Sequence, residues 1–341
     1  MTAQPTQQTA VQLTDSIIES LKPALVFKNF QKEVNSLDIS HDGKYLVAGC
    51  EDNSVSLYDL ERGEKVNTYY SKRYGVDLVR FTHHNKTILC ASKRDNNYRI
   101  MYWSLHDNNI LCSFVGHTDQ ITHLDLNPLN STFVSCSKDG TTRVWEYEKK
   151  QCLIRINKAR AACFDNTGNV LACVFIKDDG GNAGGKDGNQ GGPVVQQIHL
   201  FNAANYETKP FSIFPLEDVP EIKFLKFSFN GNLILLGSTE NTITLIDAFE
   251  GKQLHKFTSS INDTGSFTVE AGFTPDSRYV LSGSEASKRI TFWNVDTGKE
   301  TQLMEFHPKT VACVKFSHVY CMLVSACQNL VVWIPERVYA Q

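Results

Sequence analysis

Between Gly116 and Glu146 the stretch GHTDQITHLDLNPLNSTFVSCSKDGTTRVWE alternates short apolar runs with turn residues. Ile121–Leu126, Thr132–Ser135 and a run ending at Val144-Trp145 are separated by Asn127-Pro128-Leu129-Asn130 and Lys138-Asp139-Gly140. β-Formers in short alternating runs, broken at regular spacing by turn residues, predict a three-stranded antiparallel meander. The pattern recurs. The ends of the third runs fall at Tyr58, Trp103, Trp145, Phe201, Ile246, Trp293 and Trp333, in steps of 45, 42, 56, 45, 47 and 40 residues. Removing the Gly-rich tract Asp178–Pro193 brings the long step into line. The turn between first and second runs keeps the same phase, at His41-Asp42-Gly43, His84-Asn85, Leu129-Asn130, Asn166-Thr167-Gly168, Asn230-Gly231 and Pro275-Asp276-Ser277. Two markers in register define seven repeats.

The Gly-His opening and aromatic ending of the 116–146 unit resemble a WD40 repeat, one propeller blade of about 40–45 residues. The expected fold is all-β, a seven-bladed WD40 β-propeller. Most repeats carry a fourth apolar run, as at Lys65–Tyr70, Ile110–Val115 and Gln302–Phe306, but only eight residues follow Trp333. The last blade is therefore one strand short. Ala24–Phe27 reads as a strand, and the segment Ala24–Phe30 is expected to dock on that blade and close the ring, pairing an otherwise open edge. A short helix is expected over Asp15–Leu21, with Ser16 and Glu19 spaced as a capping box. Residues 1–12, rich in Gln and Thr, read as a disordered extension, 13–335 as the propeller, 178–193 as a flexible loop inserted in blade four, and 336–341 as a tail.

A hydrophobic content of 41% and a net charge of −3 suit a soluble globular chain and supply no global field for nucleic acid. The first twenty residues lack the basic start and apolar core of a signal peptide, and no apolar run approaches the length of a membrane span. Ten cysteines (Cys50, Cys90, Cys112, Cys136, Cys152, Cys163, Cys173, Cys313, Cys321 and Cys327) are scattered with no C-x-x-C pair. They read as small buried hydrophobes in a reducing compartment, and neither a metal nor a cofactor is expected.

His117, Ser135, Asp139 and Trp145 contain the ingredients of a Ser-His-Asp triad. In a WD40 blade the same set forms a buried chain of hydrogen bonds, Trp to Ser to His to Asp, and that structural role is the expected one, with Ser137 as an alternative to Ser135. No G-x-S-x-G elbow occurs. Asp59, Asp247 and Asn294 follow the third-run aromatic or apolar residue in other repeats, most of which lack the Gly-His. His83 and His84, on a strand, would face opposite sides and share no metal. Gly185-Lys186 is followed by Asp187, so the Gly-rich tract is no phosphate loop. A non-catalytic binding role remains. Propellers commonly bind where the first strands begin, and those positions here include Lys32, Arg73, Tyr74, Gln120, Lys158, Arg160 and Lys309. The set is basic on a slightly acidic chain, which suits an acidic or phosphorylated peptide with Tyr74 as an aromatic anchor.

More specific blocks are YSKRYGVDLVRFTH at 70–83, SLHDNNILCSFVGH at 104–117, LIDAFEGK at 245–252, FTPDSRYVLSGSE at 273–285 and SACQNLVVWIP at 325–335. Together with the stretch at 127–146 they resemble the WD-repeat subunit of the COMPASS (SET-domain) histone methyltransferase complexes, a subunit shared with a nuclear phosphatase and transcription-termination assembly. The likeness runs in order over about residues 13–335; the extension at 1–12 and the Gly-rich tract depart from it. It implies a nuclear scaffold that docks a SET-domain methyltransferase and other COMPASS subunits, supports histone H3 methylation, and links them to RNA polymerase II and chromatin. It also implies an assembly with a regulatory subunit of protein phosphatase one. No membrane and no sequence-specific nucleic acid contact is expected. The rival readings are a generic adaptor, such as a ubiquitin-ligase substrate receptor, and a phosphopeptide reader in another complex. The chain leaves no room for a linker-binding domain, and it lacks the Phe-Arg-Arg-Gly of phosphoinositide-binding propellers.

Overall fold

A computed structural model describes residues 12–336, apart from 29, 95–96, 178–194, 207–208, 218, 241, 259–269 and 285–286. The expectations for the N-terminal extension, the Gly-rich tract and the C-terminal tail fall almost wholly outside the described residues.

Seven four-stranded antiparallel sheets form, each a meander in chain order except the last. Blade one occupies 34–70, blade two 77–115, blade three 121–157, blade four 159–216, blade five 222–258 and blade six 271–305. Blade seven combines Cys313–Phe316, Leu323–Ala326 and Leu330–Pro335 with an outer strand from the N-terminus, Leu21–Phe27. All seven third-run markers lie on third strands. In six blades the register between the third strand and the outer strand shifts immediately before that residue, at Tyr58, Trp103, Trp145, Ile246, Trp293 and Trp333. Such bulges increase local twist. The large side chain thus sits where its blade bends.

A sheet has two faces to bury, and here neighbouring blades bury them for each other. Among the described residues seven apolar clusters form, and each bridges two adjacent blades. Phe133 and Trp145 of blade three, for instance, pack with Leu89, Ile100 and Tyr102 of blade two. Polar contacts stitch the same seams on the face carrying the first-to-second-strand turns. Asn85 donates to Asp42 at 2.5 Å, Asn127 to the Gly168 carbonyl at 2.9 Å, and Asn166 to the Ser228 carbonyl at 2.8 Å. Gly168 has φ +68°, and a Cβ there would lie 2.3 Å from Asn127 Oδ1. Only glycine fits both the turn and the close approach.

The ring closes antiparallel, from Leu21↔Pro335 through Phe27↔Leu330, with a shift between Pro23 and Leu25. Pro23 is tolerated because this strand is an edge and the bulge falls beside it. The strand is longer at its start than the expected Ala24–Phe27 and stops at Phe27, so the expected docking segment to Phe30 is shifted. Phe30 is buried under Tyr58 instead, at the seam of blades seven and one. The helix covers only Asp15–Glu19, and its cap is Thr14 rather than Ser16. Leu21 is drawn out of the expected helix because pairing with Pro335 and burial between blades six and seven outweigh local helix propensity. The strap before it is fixed to blade six. Leu13 N–H donates to Asp276 at 2.7 Å, Arg278 donates to the Leu13 carbonyl at 3.2 Å, and Tyr279 OH donates to Asp15. Deleting residues 1–30 therefore removes both a strand and the packing of a seam. The truncated protein is expected to be insoluble or to lose its cooperative thermal transition; an unchanged melting temperature would refute this closure.

Candidate functional site

The first strand of each blade lines a central channel. Inner-strand positions that face it carry Asp38, Arg80, Asp125 and Lys315, joined by His123, Lys226 and Glu270. Glu270 accepts from Lys226 at 2.5 Å and lies 3.9 Å from Arg80. Burial alone would raise its carboxyl, but Lys226, Arg80 and Lys315 hold it down at about 2. Asp38 pairs with Lys315 and also accepts the Phe81 N–H of blade two at 2.7 Å. Asp125 accepts the Phe164 N–H of blade four at 2.8 Å. Burial, aided by Arg80 and Lys226, pushes His123 down to about 3, so it is neutral. Opposite charges compensate one another throughout this interior.

At the face where the first strands begin, the channel opens into a cavity of about 1000 Å³. Among the described residues eight Lys and Arg side chains and five carboxylates line it. Three pairs tie its rim across blade seams: Lys93 with Glu51, Arg160 with Glu221 at 2.9 Å, and Lys309 with Glu33 at 2.9 Å. Of the residues expected to bind, the structure brings Gln120, Arg160 and Lys309 to this cavity. Lys32, Arg73, Tyr74 and Lys158 lie outside its lining. Tyr74 is half-buried against the seam of blades one and two, with Arg73 and Arg99 over its ring at 5.2 and 4.9 Å. Its ring is thus covered rather than offered as an anchor. Lys158 is held at φ 64°, its N–H donating to the Gly140 carbonyl at 2.8 Å. Sequence reasoning missed Asp77, Lys138, Lys223 and Lys288, which also line the cavity. Lys223 was findable, since it is the second residue of its strand just as Arg160 is of its own.

In blade three Trp145 Nε1 donates to Ser135 Oγ at 2.8 Å, Ser135 lies 2.8 Å from His117 Nε2, and His117 Nδ1 lies 3.0 Å from Asp139. One run of donors satisfies all four: indole to hydroxyl, hydroxyl to imidazole, imidazole to carboxylate. Asp139 also accepts from Thr118 N–H and from Thr141, and despite partial burial these bonds hold it at about 2. Ser135 is fully buried, so its hydroxyl faces no substrate. Ser137 is otherwise engaged, donating to the Asp119 carbonyl at 2.8 Å. Asp59, Asp247 and Asn294 accept N–H groups of the turns that follow them. His83 lies in a turn rather than on a strand, 2.9 Å from Tyr147 OH and 3.1 Å from the Pro128 carbonyl. Among the described residues no group of His, Cys, Asp and Glu is placed to hold a metal ion.

Blade seven repeats the relay with a substitution. Trp333 Nε1 donates to Ser325 Oγ at 2.8 Å, and Ser325 lies 2.7 Å from His307 Nε2. The other imidazole nitrogen meets Cys327 Sγ at 3.2 Å where blade three has a carboxylate. The separation of His and Ser is 18 residues in both blades, a signal present in the sequence behind Phe306 in place of glycine.

The family model for the WD domain, G-beta repeat, matches residues 21–59 and 108–146. WD repeat-containing protein 82 of Drosophila melanogaster is 35% identical over 330 residues, covering 95% of this chain and 98% of its own. The chain belongs to the family of WD repeat-containing protein 82. Set1 complex component swd2 of Schizosaccharomyces pombe is 29% identical over 86% of this chain and 80% of its own length. COMPASS component SWD2 of Saccharomyces cerevisiae is 27% identical over 91% and 95%. The likeness thus spans nearly the whole ring of this WD-repeat chain rather than single blades.

Ser135→Ala strands the Trp145 N–H and a His117 nitrogen in a buried seam. A loss of about 2–4 kcal/mol is expected from urea unfolding; a loss below about 0.5 kcal/mol would show the relay to be idle. The histidines add a pH dependence. Burial pushes His307 from its ordinary 6.5 down to about 4 and lowers His117 as well. The unfolded chain takes up these protons first, so stability should fall as pH drops from 6.5 toward 4, by on the order of 3 kcal/mol for His307. His307→Asn should flatten that part of the curve; an unchanged slope would contradict it.

Proposed function

We propose that this chain is a non-catalytic scaffold subunit of a Set1/COMPASS-type histone H3 methyltransferase complex in the nucleus. The observation that carries the reading is likeness over nearly the full ring to proteins named as Set1 and COMPASS components. A closed propeller suits the role, because its blades hold a fixed surface on which partner segments lie with little rearrangement. In this reading the chain holds a segment of the SET-domain methyltransferase and links it to RNA polymerase II and chromatin. The same subunit also serves an assembly with a phosphatase-one regulatory subunit that acts in transcription termination. The wide mouth receives an acidic or phosphorylated segment, and a net surplus of cations around it supports that assignment. Rim residues Gln120, Arg160 and Lys309 contribute there, while the exposed Lys32, Arg73 and Lys158 offer an outer surface and Tyr74, covered by its seam, supports Arg73. The buried relay His117, Ser135, Asp139 and Trp145 serves rigidity, not chemistry.

Affinity purification of the tagged protein from nuclear extract, read by mass spectrometry, tests the reading. Recovery of a SET-domain methyltransferase is expected, together with a phosphatase-one regulatory subunit. Recovery of neither, with cullins in their place, would overturn the assignment in favour of a ubiquitin-ligase adaptor. Charge reversal at Lys138 and Lys223 should weaken capture of partners while leaving the melting temperature within a few degrees of wild type.

A further inference from the structure

The charges around the mouth are not evenly spread. Lys93, Arg160 and Lys309 are each matched by a carboxylate on the neighbouring blade. Lys138 of blade three, Lys223 of blade five and Lys288 of blade six form no ion pair among the described residues. They place the surplus positive charge on one arc of the rim. On blade two, next to blade three and across the ring from blades five and six, Asp77 is the one lining carboxylate without an ion pair among the described residues. Lys93 lies near it but is engaged by Glu51.

The backbone of blade two explains why Asp77 is there. In blades one, three, four and five the first-to-second-strand register slips by one residue near its start, as between Val34 and Ser36. In blade two the offset is again one residue, but the irregular stretch is longer, running from Asp77 to Arg80. Within that stretch Leu78 is held at φ 51°, a left-handed conformation costly for a branched side chain. Its N–H donates to one Asp77 oxygen at 2.9 Å, which fixes the carboxylate at the cavity wall. Leu78 itself lines the cavity beside it.

We infer that the mouth recognises a segment carrying both signs of charge. An acidic or phosphorylated group lies on the arc of Lys138, Lys223 and Lys288, and an arginine or lysine of the same segment reaches Asp77, with Leu78 packing against its aliphatic stem. This rests on the reading of the mouth as a peptide site and adds the polarity and direction of the occupant. Burial raises the Asp77 carboxyl above its ordinary range, so an arriving cation meets a partly desolvated partner. The opposed charges also fix which way the segment runs across the mouth.

The test uses the full chain and fluorescent peptides with one fixed phosphoserine and a single arginine scanned on either side, each paired with a glutamine control. At one offset the arginine peptide should bind roughly three- to tenfold tighter than its control, the range of one charge-assisted contact. Asp77→Asn should collapse that gap, and Asp77→Glu should restore part of it. Lys138→Glu should weaken every peptide of the set. Binding that is indifferent to arginine at every offset, or a gap that survives Asp77→Asn, would overturn the inference and leave the mouth as an acidic-peptide site. No binding by any peptide would overturn both. Circular dichroism melts of each variant show whether the fold is kept.

Discussion

Everything in this protein depends on the burial of sheet faces between neighbouring blades. A four-stranded meander presents two apolar faces, and one blade alone covers neither. Each seam cluster is therefore the joint property of two repeats, and the ring is stable only when the last seam is shared with the first. The strap at the N-terminus follows from that constraint. It supplies the strand that blade seven lacks and inserts Leu13, Ile18 and Leu21 between blades six and seven.

Polar groups inside such a ring must be satisfied by side chains, because the curved blades leave loop ends and turn groups facing one another. The structure answers this in three layers. Carboxylates on inner strands, such as Asp38 and Asp125, accept backbone N–H groups of the next blade. Turn residues such as Asn85, Asn127 and Asn166 reach across the seams on one face. Buried relays in blades three and seven tie second and third strands to the segment that enters the blade. In blade seven a thiol replaces the carboxylate at the end of the relay. A neutral imidazole needs only an acceptor there, and sulfur supplies a weak one.

Rigidity of this kind frees the mouth to be specialised by side chains alone. Three rim pairs neutralise their own seams, and what is left over is a set of lysines on blades three, five and six and a carboxylate on blade two. In blade two the left-handed backbone of Leu78 sets the Asp77 carboxylate at the cavity wall, and its strain is held by the packing beneath it. A function built on recognition needs no more than this: a fixed concave surface and an uneven distribution of charge.

The sequence by itself determined the repeat number, the phase of the repeats and that a strand from the N-terminal segment closes the ring, though not its bounds. These follow from local pattern: alternation of apolar residues, turn residues in phase, and a missing fourth run after Trp333. It also held the members of the blade-three relay, since all four residue types stand at their expected places. The tertiary structure alone decided the rest. Leu21 reads as helix locally but pairs as strand, because ring closure outweighs propensity. Tyr74 reads as an exposed anchor, but two arginines and a seam cover it. The blade-seven relay was hidden because its glycine and carboxylate are replaced, and only the fold brings His307, Ser325 and Cys327 together. Which cations of the mouth are already matched was equally out of reach, since Lys309 and Glu33 lie at opposite ends of the chain. Pairing across blade seams depends on distance in space, and a repeat pattern carries no record of that distance.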